Sequence, residues 1–573
     1  MVIPTKRLSN LFCSGAIVLL TLTFAPVTAN AQHGKGSAYC AQVYNPDLNP
    51  TGHIFASQGA QMYCFGPQMR FGSAAGRQLS ANQLSASASG AGNVDAANPA
   101  EDISPNGTVA YGQSETSVAA TDQYVVEAWN DSTGFFSPCP SPDSKEELTG
   151  FAFSNDGGNS FTDLGGLPNI GCGITRYEGD ASVEAWETQG QHYFYVSSLF
   201  SDFTNFSLNV AVTACQVIGF GAAATLECGQ PTVVATSATG PFGFHGLDKD
   251  FATIDPNRGR LYISYTDFGA GGSIALAACD LNNNPMQPVC SNGATNGPAY
   301  VVVAPPFPNC ENQGAYPAVD INTGDVYVAY EHNWPSVFTA GFGPCASEPT
   351  KEIVTRIPSF CLTFPGPSPC SSPFPTAAVF VASLSAAFIP GYSRFPMNDF
   401  PRIAFSPSYG TVSIVWNDGR FKPTGDILLQ SWWGGWAFPA PVQWEPVVLD
   451  DLMTAGGGWQ FLPGMRNTDD SGNLFVSWYS RATPSTPLTD VYEAVGISPL
   501  VFATPTNLKV TSVASDWTAV SSDINPNFGD YTDNYVRAVG GFGTPFTDQV
   551  DYVAWSDGRL GVPQPFEAHL PTH

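Results

Sequence analysis

From about residue 107 onward, apolar and polar positions alternate with a period of two in short runs, and the runs come in pairs. The first member of each pair is Glu115-Thr-Ser-Val-Ala, Asp180-Ala-Ser-Val-Glu, Asp250-Phe-Ala-Thr-Ile-Asp, Tyr316-Pro-Ala-Val-Asp, Asp399-Phe-Pro-Arg-Ile-Ala, Met465-Arg-Asn-Thr-Asp or Asp530-Tyr-Thr-Asp-Asn. The second member is richer in Val, Ile, Tyr and Trp and ends on an aromatic or small residue: Trp129, Ser197, Tyr265, Tyr330, Trp416, Trp478 and Trp555. Turn formers such as Asp255-Pro-Asn-Arg-Gly, Asn322-Thr-Gly-Asp and Asp470-Ser-Gly-Asn separate the two members. Alternation of period two around such turns predicts an antiparallel hairpin in each repeat.

The aromatic-ended positions recur 62 to 86 residues apart, enough for four strands and their connections. One such sheet cannot bury both of its faces, so the copies must stack around an axis and the ring must close. The expected fold is all-β: a seven-bladed β-propeller of four-stranded antiparallel blades, with six or eight blades as alternatives. Segment 107–120 is expected to supply the closing strand beside the last blade.

The amino terminus reads differently. Lys6 and Arg7, the apolar run Ala16 to Phe24 and the small-residue site Ala29-Asn30-Ala31 make residues 1–31 a secretory signal peptide. The apolar run is shorter than the roughly 20 residues that span a bilayer, so a membrane anchor is the weaker reading. Residues 32–71 form an expected disulfide-stapled extension, 72–100 a small, polar, flexible linker, and 101–573 the propeller. Cleavage leaves 12 cysteines: Cys40, Cys64, Cys139, Cys172, Cys215, Cys228, Cys279, Cys290, Cys310, Cys345, Cys361 and Cys370. An even count in an exported chain predicts disulfides, with sequence neighbours the natural partners. Zinc has little support, because no Cys-x-x-Cys occurs and the seven His are scattered. The formal net charge of −27 excludes nucleic acid and anionic lipid as partners.

One turn carries a specific motif. Ser154-Asn-Asp156-Gly-Gly158-Asn-Ser-Phe161 fits Ser-x-Asp-x-Gly-x-x-aromatic, and on it the chain resembles the sialidase-like BNR/Asp-box repeat β-propellers. The resemblance implies a structural role for Ser154, Asp156, Gly158 and Phe161, on a blade turn away from the active site. Sialidases also carry an arginine triad, an Arg-Ile-Pro motif in the first blade, a Tyr nucleophile paired with Glu, and an Asp acid/base. Here Arg356-Ile-Pro follows the fourth repeat, so the triad is not assigned from it.

Aligned on their hairpins, five of seven repeats open the innermost strand with an acid: Glu115, Asp180, Asp250, Asp399 and Asp530. Together with Arg402, Arg466 and Tyr531, which lie in or beside those strands, they are the expected ligand-binding groups at one channel mouth; the alternative is that each acid caps its own strand. Trp432, Trp433 and Trp436 would stack on sugar rings or pack between blades. Trp416-Asn-Asp-Gly-Arg420 and Trp555-Ser-Asp-Gly-Arg559 read as tight turns. There is no Gly-x-Ser-x-Gly, P-loop or His-Glu-x-x-His. The expected function is a secreted, monomeric, non-catalytic module that recognises carbohydrate or protein, with no cofactor and no metal. The alternative is an exo-acting, sialidase-like glycoside hydrolase.

Overall fold

Seven hairpins form, and further antiparallel strands extend each into a blade; in the sixth the inner strand is Gln460–Gly464 and not the expected Met465–Asp469, so Arg466 follows the strand instead of lying within it. A computed structural model of the chain describes Gly59 and most of residues 92–572; the longest interior stretches outside it are 238–245, 292–300, 334–348 and 538–548. The leader, the 32–71 extension other than Gly59, and residues 72–91 lie outside the described residues.

Seven sheets follow one another around a ring. The first is built from Gln113–Thr121, Tyr124–Asp131, Thr149–Ser154 and Thr162–Gly166. The inner strands of the next six are Ser182–Thr188, Leu247–Asp255, Asn312–Val319, Arg402–Ser406, Gln460–Gly464 and Asp533–Arg537. The inner strand of blade 7 touches that of blade 1, which closes the circle. Large side chains from the second strands fill the gaps between sheets: Trp129, Trp416, Trp478 and Trp555 are fully buried. Each such ring removes about 150–250 Å² from water, which is why an aromatic ends the second strand so often.

The strand that seals the ring is Val94–Asp95, paired with Phe566 and Glu567 on the outer side of blade 7. It is not segment 107–120, where Gln113–Thr121 forms the inner strand of blade 1 and is buried along its whole length. A two-residue strand carries no periodicity, so nothing in the sequence marks it.

The inner strands share one further device. In blades 1, 3, 4 and 6 the register slips between Ser114 and Ser117, Asp248 and Phe251, Gln313 and Tyr316, and Phe461 and Gly464. Inside these bulges Glu115, Lys249, Gly314 and Leu462 adopt φ of 58°, 54°, 68° and 50°, and Asp180 in blade 2 adopts 59°. Only glycine visits this region freely. At Gly314 a Cβ would lie 2.4 Å from the Phe400 ring, so no other residue fits there. The other four positions hold side chains in a strained backbone, a pattern that concentrates where side chains are aimed at something.

Three disulfides join sequence neighbours, as expected: Cys215–Cys228, Cys279–Cys290 and Cys361–Cys370. Cys40, Cys64, Cys139, Cys172, Cys310 and Cys345 lie outside the described residues. No helix among the described residues is long and apolar enough to cross a membrane.

Candidate functional site

The inner strands run from a plugged end of the channel to an open one. At the plugged end Glu115, Asp180, Asp250 and Asp530 come together, each at most 2% exposed, so they do not ring an open mouth. Lys249, fully buried, donates to Asp530 at 2.5 Å, and Arg394 approaches the other oxygen of Asp530 at 3.4 Å. Asn130 donates to Glu115 (2.9 Å), whose second oxygen accepts the Asp530 backbone N–H (2.8 Å). Asp180 accepts the Gly59 N–H at 2.8 Å. Among the described residues the Ser197 side chain is the hydrogen-bonding neighbour of the Asp250 carboxylate.

Charge follows from this crowding. Burial and then the Asp180 carboxylate hold Glu115 well above the usual carboxylate range. Burial alone accounts for most of the rise at Asp250. Burial also opposes the charge on Lys249, but Asp530, Glu115 and Asp180 outweigh it and keep the amine above its ordinary value. Asp399 stands apart from this group. It accepts the Leu384 backbone N–H (3.0 and 3.1 Å) and the Asn417 side-chain N–H (2.5 Å), which tie it to the preceding loop and to the second strand of its blade and do not cap its own strand.

The waist of the channel holds the two sequence-predicted arginines in different states. Arg466 is consumed: it binds Asp533 through Nη2 (2.6 Å) and Nε (3.3 Å), Glu184 through Nη1 (3.1 Å), and the Val183 carbonyl at 2.6 Å. Arg402 lies over the rings of Tyr316 (4.7 Å), Phe251 (4.9 Å) and Tyr531 (5.3 Å), and its Nε and Nη1 have no hydrogen-bond partner among the described residues. The Tyr531 hydroxyl reaches only the Ala181 carbonyl, at 3.5 Å. Burial, then Glu115, Asp180 and Asp250, raise its pKa well above the normal phenol value, which holds it protonated.

Below Arg466 the channel opens into a cavity of about 420 Å³ to which all seven blades contribute. Glu184 and Arg466 form its floor; Trp186, Phe405 and Tyr535 supply aromatic wall, and Glu187, Asn467, Asp469 and Asp470 the polar part. Burial, opposed by Arg466, pushes the Glu184 carboxyl up to about 7. Arg466 does not cancel the effect of burial: it also serves Asp533, which has the closer, two-pronged contact. No cluster of three or more His, Cys, Asp or Glu suited to a metal occurs among the described residues.

No protein-family model and no curated protein matches this chain. Solved structures do. An α-L-arabinofuranosidase of Fusarium graminearum, in complex with arabinobiose, is similar at 10% identity, over 84% of this chain and 97% of that one, with a TM-score of 0.36. A Penicillium chrysogenum α-L-arabinanase, also with arabinobiose, is similar at 12% identity over 70% and 94%, TM-score 0.36. A Trypanosoma rangeli sialidase with the inhibitor DANA is similar at 8% identity over 82% and 57%, TM-score 0.31. The propeller assignment rests on the sheet topology above.

The remaining sequence candidates lie off the channel. The turn Ser154–Phe161 joins the third and fourth strands of blade 1; Ser154 Oγ accepts the Gly158 N–H (2.9 Å) and Asp156 accepts the Ser160 N–H (2.9 Å). Arg356 pairs with Asp325 at 2.7 Å. Trp416 and Trp555 donate their indole N–H to Asp418 (2.9 Å) and Asp557 (2.8 Å), which also bind Arg420 and Arg559, so both motifs serve as turns. Trp432 is buried, Trp433 is 40% exposed, and Trp436 lies outside the described residues. Sequence reasoning missed Lys249, Arg394, Glu184, Trp186 and Tyr535. For Glu184 and Trp186 a signal existed: they follow Ser182 at steps of two, the spacing of residues on one face of a strand.

Proposed function

We propose that the protein is a secreted, non-catalytic recognition propeller that binds a saccharide in the seven-blade cavity. The observation that carries this reading is the cavity's lining: aromatic wall beside carboxylates and amides, open to solvent, at the one place where every blade contributes. Sugars are held by such mixtures of stacking faces and hydrogen-bonding groups. The non-catalytic part is supported by the state of the groups that the sialidase resemblance brings to mind: Arg466 is bound by Asp533 and Glu184, and Tyr531 is buried and protonated. Export is supported by the leader-like first 31 residues and the disulfides. Calorimetric titration of the purified protein with sialyllactose, arabinobiose, cellobiose and chitobiose tests the reading. A saccharide is expected to bind, with affinity reduced about tenfold or more in Trp186→Ala, the scale of one lost aromatic contact. Absence of binding across the panel, or binding indifferent to Trp186→Ala, would sink it.

One observation favours a hydrolase instead. Glu184, with its carboxyl near 7, carries a proton in about half of the molecules at neutral pH, within the range of a general acid for glycoside cleavage. Turnover of any of these sugars, lost in Glu184→Gln while binding persists, would replace the recognition reading.

A further inference from the structure

The outermost strand of blade 4, Thr376–Phe380, is five residues long and carries no charge. It pairs on one side only, with Lys351–Ile357. The Arg356 N–H donates to the Pro375 carbonyl (2.9 Å) and the Val381 N–H to the Thr350 carbonyl (3.1 Å). In an antiparallel pair, hydrogen-bonded residues alternate with residues whose N–H and C=O point the other way. Thr376, Ala378 and Phe380 are therefore the residues whose backbone groups point away from the sheet. Arg420 takes the Phe380 carbonyl. The outward groups of Thr376 and Ala378 and the N–H of Phe380 have no hydrogen-bonding partner among the described residues. Exposed edges are commonly blunted by a Lys, a Pro or a bulge; Pro375 stands at the start of this strand, but none of the three lies between Thr376 and Phe380, where the register runs without a slip.

All five residues line one wall of a groove of about 490 Å³ whose other wall is 439–446 of blade 5. Two large rings stand exposed in it, Phe380 at 64% and Trp444 at 93%. Exposed aromatics beside an open strand edge mark an interaction site more often than an accident of folding. Arg420 is neutralised by Asp418 at 2.8 Å, which leaves the strand wall without net charge; on the facing wall Glu445 is the one charged side chain among the lining residues.

We propose that this groove receives an extended, uncharged segment of another polypeptide, added to blade 4 as a fifth strand, with an apolar side chain seated between Phe380 and Trp444. Backbone groups exposed at every second residue match the repeat of an extended peptide, and side-chain pockets supply the selectivity in such strand addition. A saccharide would stack on the same rings without needing that spacing. The groove shares no residue with the central cavity, so this inference stands apart from the function proposed above.

Fluorescence polarisation of the full chain with a labelled Asn-Thr-Val-Thr-Val-Thr-Asn peptide tests it, with cellohexaose as the saccharide arm. Saturable binding of the peptide is expected. It is expected to weaken about tenfold in Trp444→Ala and in Ala378→Pro, the scale of a lost contact or hydrogen bond. Proline at residue 378 removes an N–H that faces away from the ladder, a position where edge strands accept it. Failure of the peptide to bind overturns the proposal. So does cellohexaose binding that is lost in Trp444→Ala and kept in Ala378→Pro, which would mark a sugar groove. Should Ala378→Pro not fold, the same peptide N-methylated on alternate residues, offered to the unsubstituted protein, decides: undiminished affinity overturns the proposal.

Discussion

Lys249 is the residue on which the plugged end of the channel turns. It is fully buried, sits in a left-handed bulge, and meets Asp530 at 2.5 Å with Glu115 and Asp180 close by. Replacing it removes the cation and strands the carboxylates in a medium that does not solvate them. Lys249→Met is therefore expected to cost about 3–5 kcal/mol, the range for breaking one side of a buried ion pair. Urea denaturation followed by tryptophan fluorescence measures it; a loss below about 1 kcal/mol, the range of exposed pairs, would mean the cluster is wetter than its burial indicates. Asp530 shows the same balance from the other side: burial opposes its ionisation, yet Arg394 and Lys249 hold it below the ordinary carboxylate range.

At the scale of the element, the blades are unequal in how their outer strands are secured. Blades 2 and 3 staple a short strand to the third strand directly across the ladder, Cys215 to Cys228 and Cys279 to Cys290. The loops they close are 13 and 11 residues long, for which loop-closure entropy gives about 2–3 kcal/mol each. The double substitution of Cys215 and Cys228 by Ser is expected to lower unfolding free energy by about that amount. Amide exchange is expected to speed up in Thr225–Cys228 and to stay slow in the inner strand Ser182–Thr188, which pairs with Gln191–Asp202 and packs between the inner strands of blades 1 and 3. In blade 4 the staple Cys361–Cys370 closes the connection that leads into Thr376–Phe380 and does not cross the ladder.

The whole molecule carries many carboxyls that burial keeps protonated. Glu178 and Glu567 are pushed up to about 7, Asp551 to about 6 and Asp399 to about 8, burial being the leading cause in each. In the unfolded chain such groups titrate near 4. The folded state thus holds protons that the unfolded state gives up as pH rises. The resulting stabilisation is complete below about pH 4 and drains away up to about pH 8. Self-repulsion at a net charge of −27 acts in the same direction. Thermal unfolding is expected to occur at a higher temperature near pH 5 than near pH 8, by scanning calorimetry. A melting temperature that rises across that interval would show that these carboxyls are ionised in the folded protein.

What the amino-acid order determines by itself is local and repetitive. Period-two runs, turn formers and aromatic strand ends specify seven hairpins, and a hairpin with two uncovered faces demands neighbours, so the propeller is legible from Trp129 to Trp555. Val94–Asp95 escapes because two residues cannot display a period. The tertiary structure alone decides which charges meet. Lys249 and Asp530 are 281 residues apart. Alternation tells which strand residues face the channel, but the point at which each strand joins the ring, together with a one-residue bulge in blades 1, 3, 4 and 6, sets the height at which each arrives. That height places Glu115 and Asp180 beside buried cations and Asp399 against its own loop, and it leaves the open cavity to Glu184 and Trp186 at the other end of the same strands.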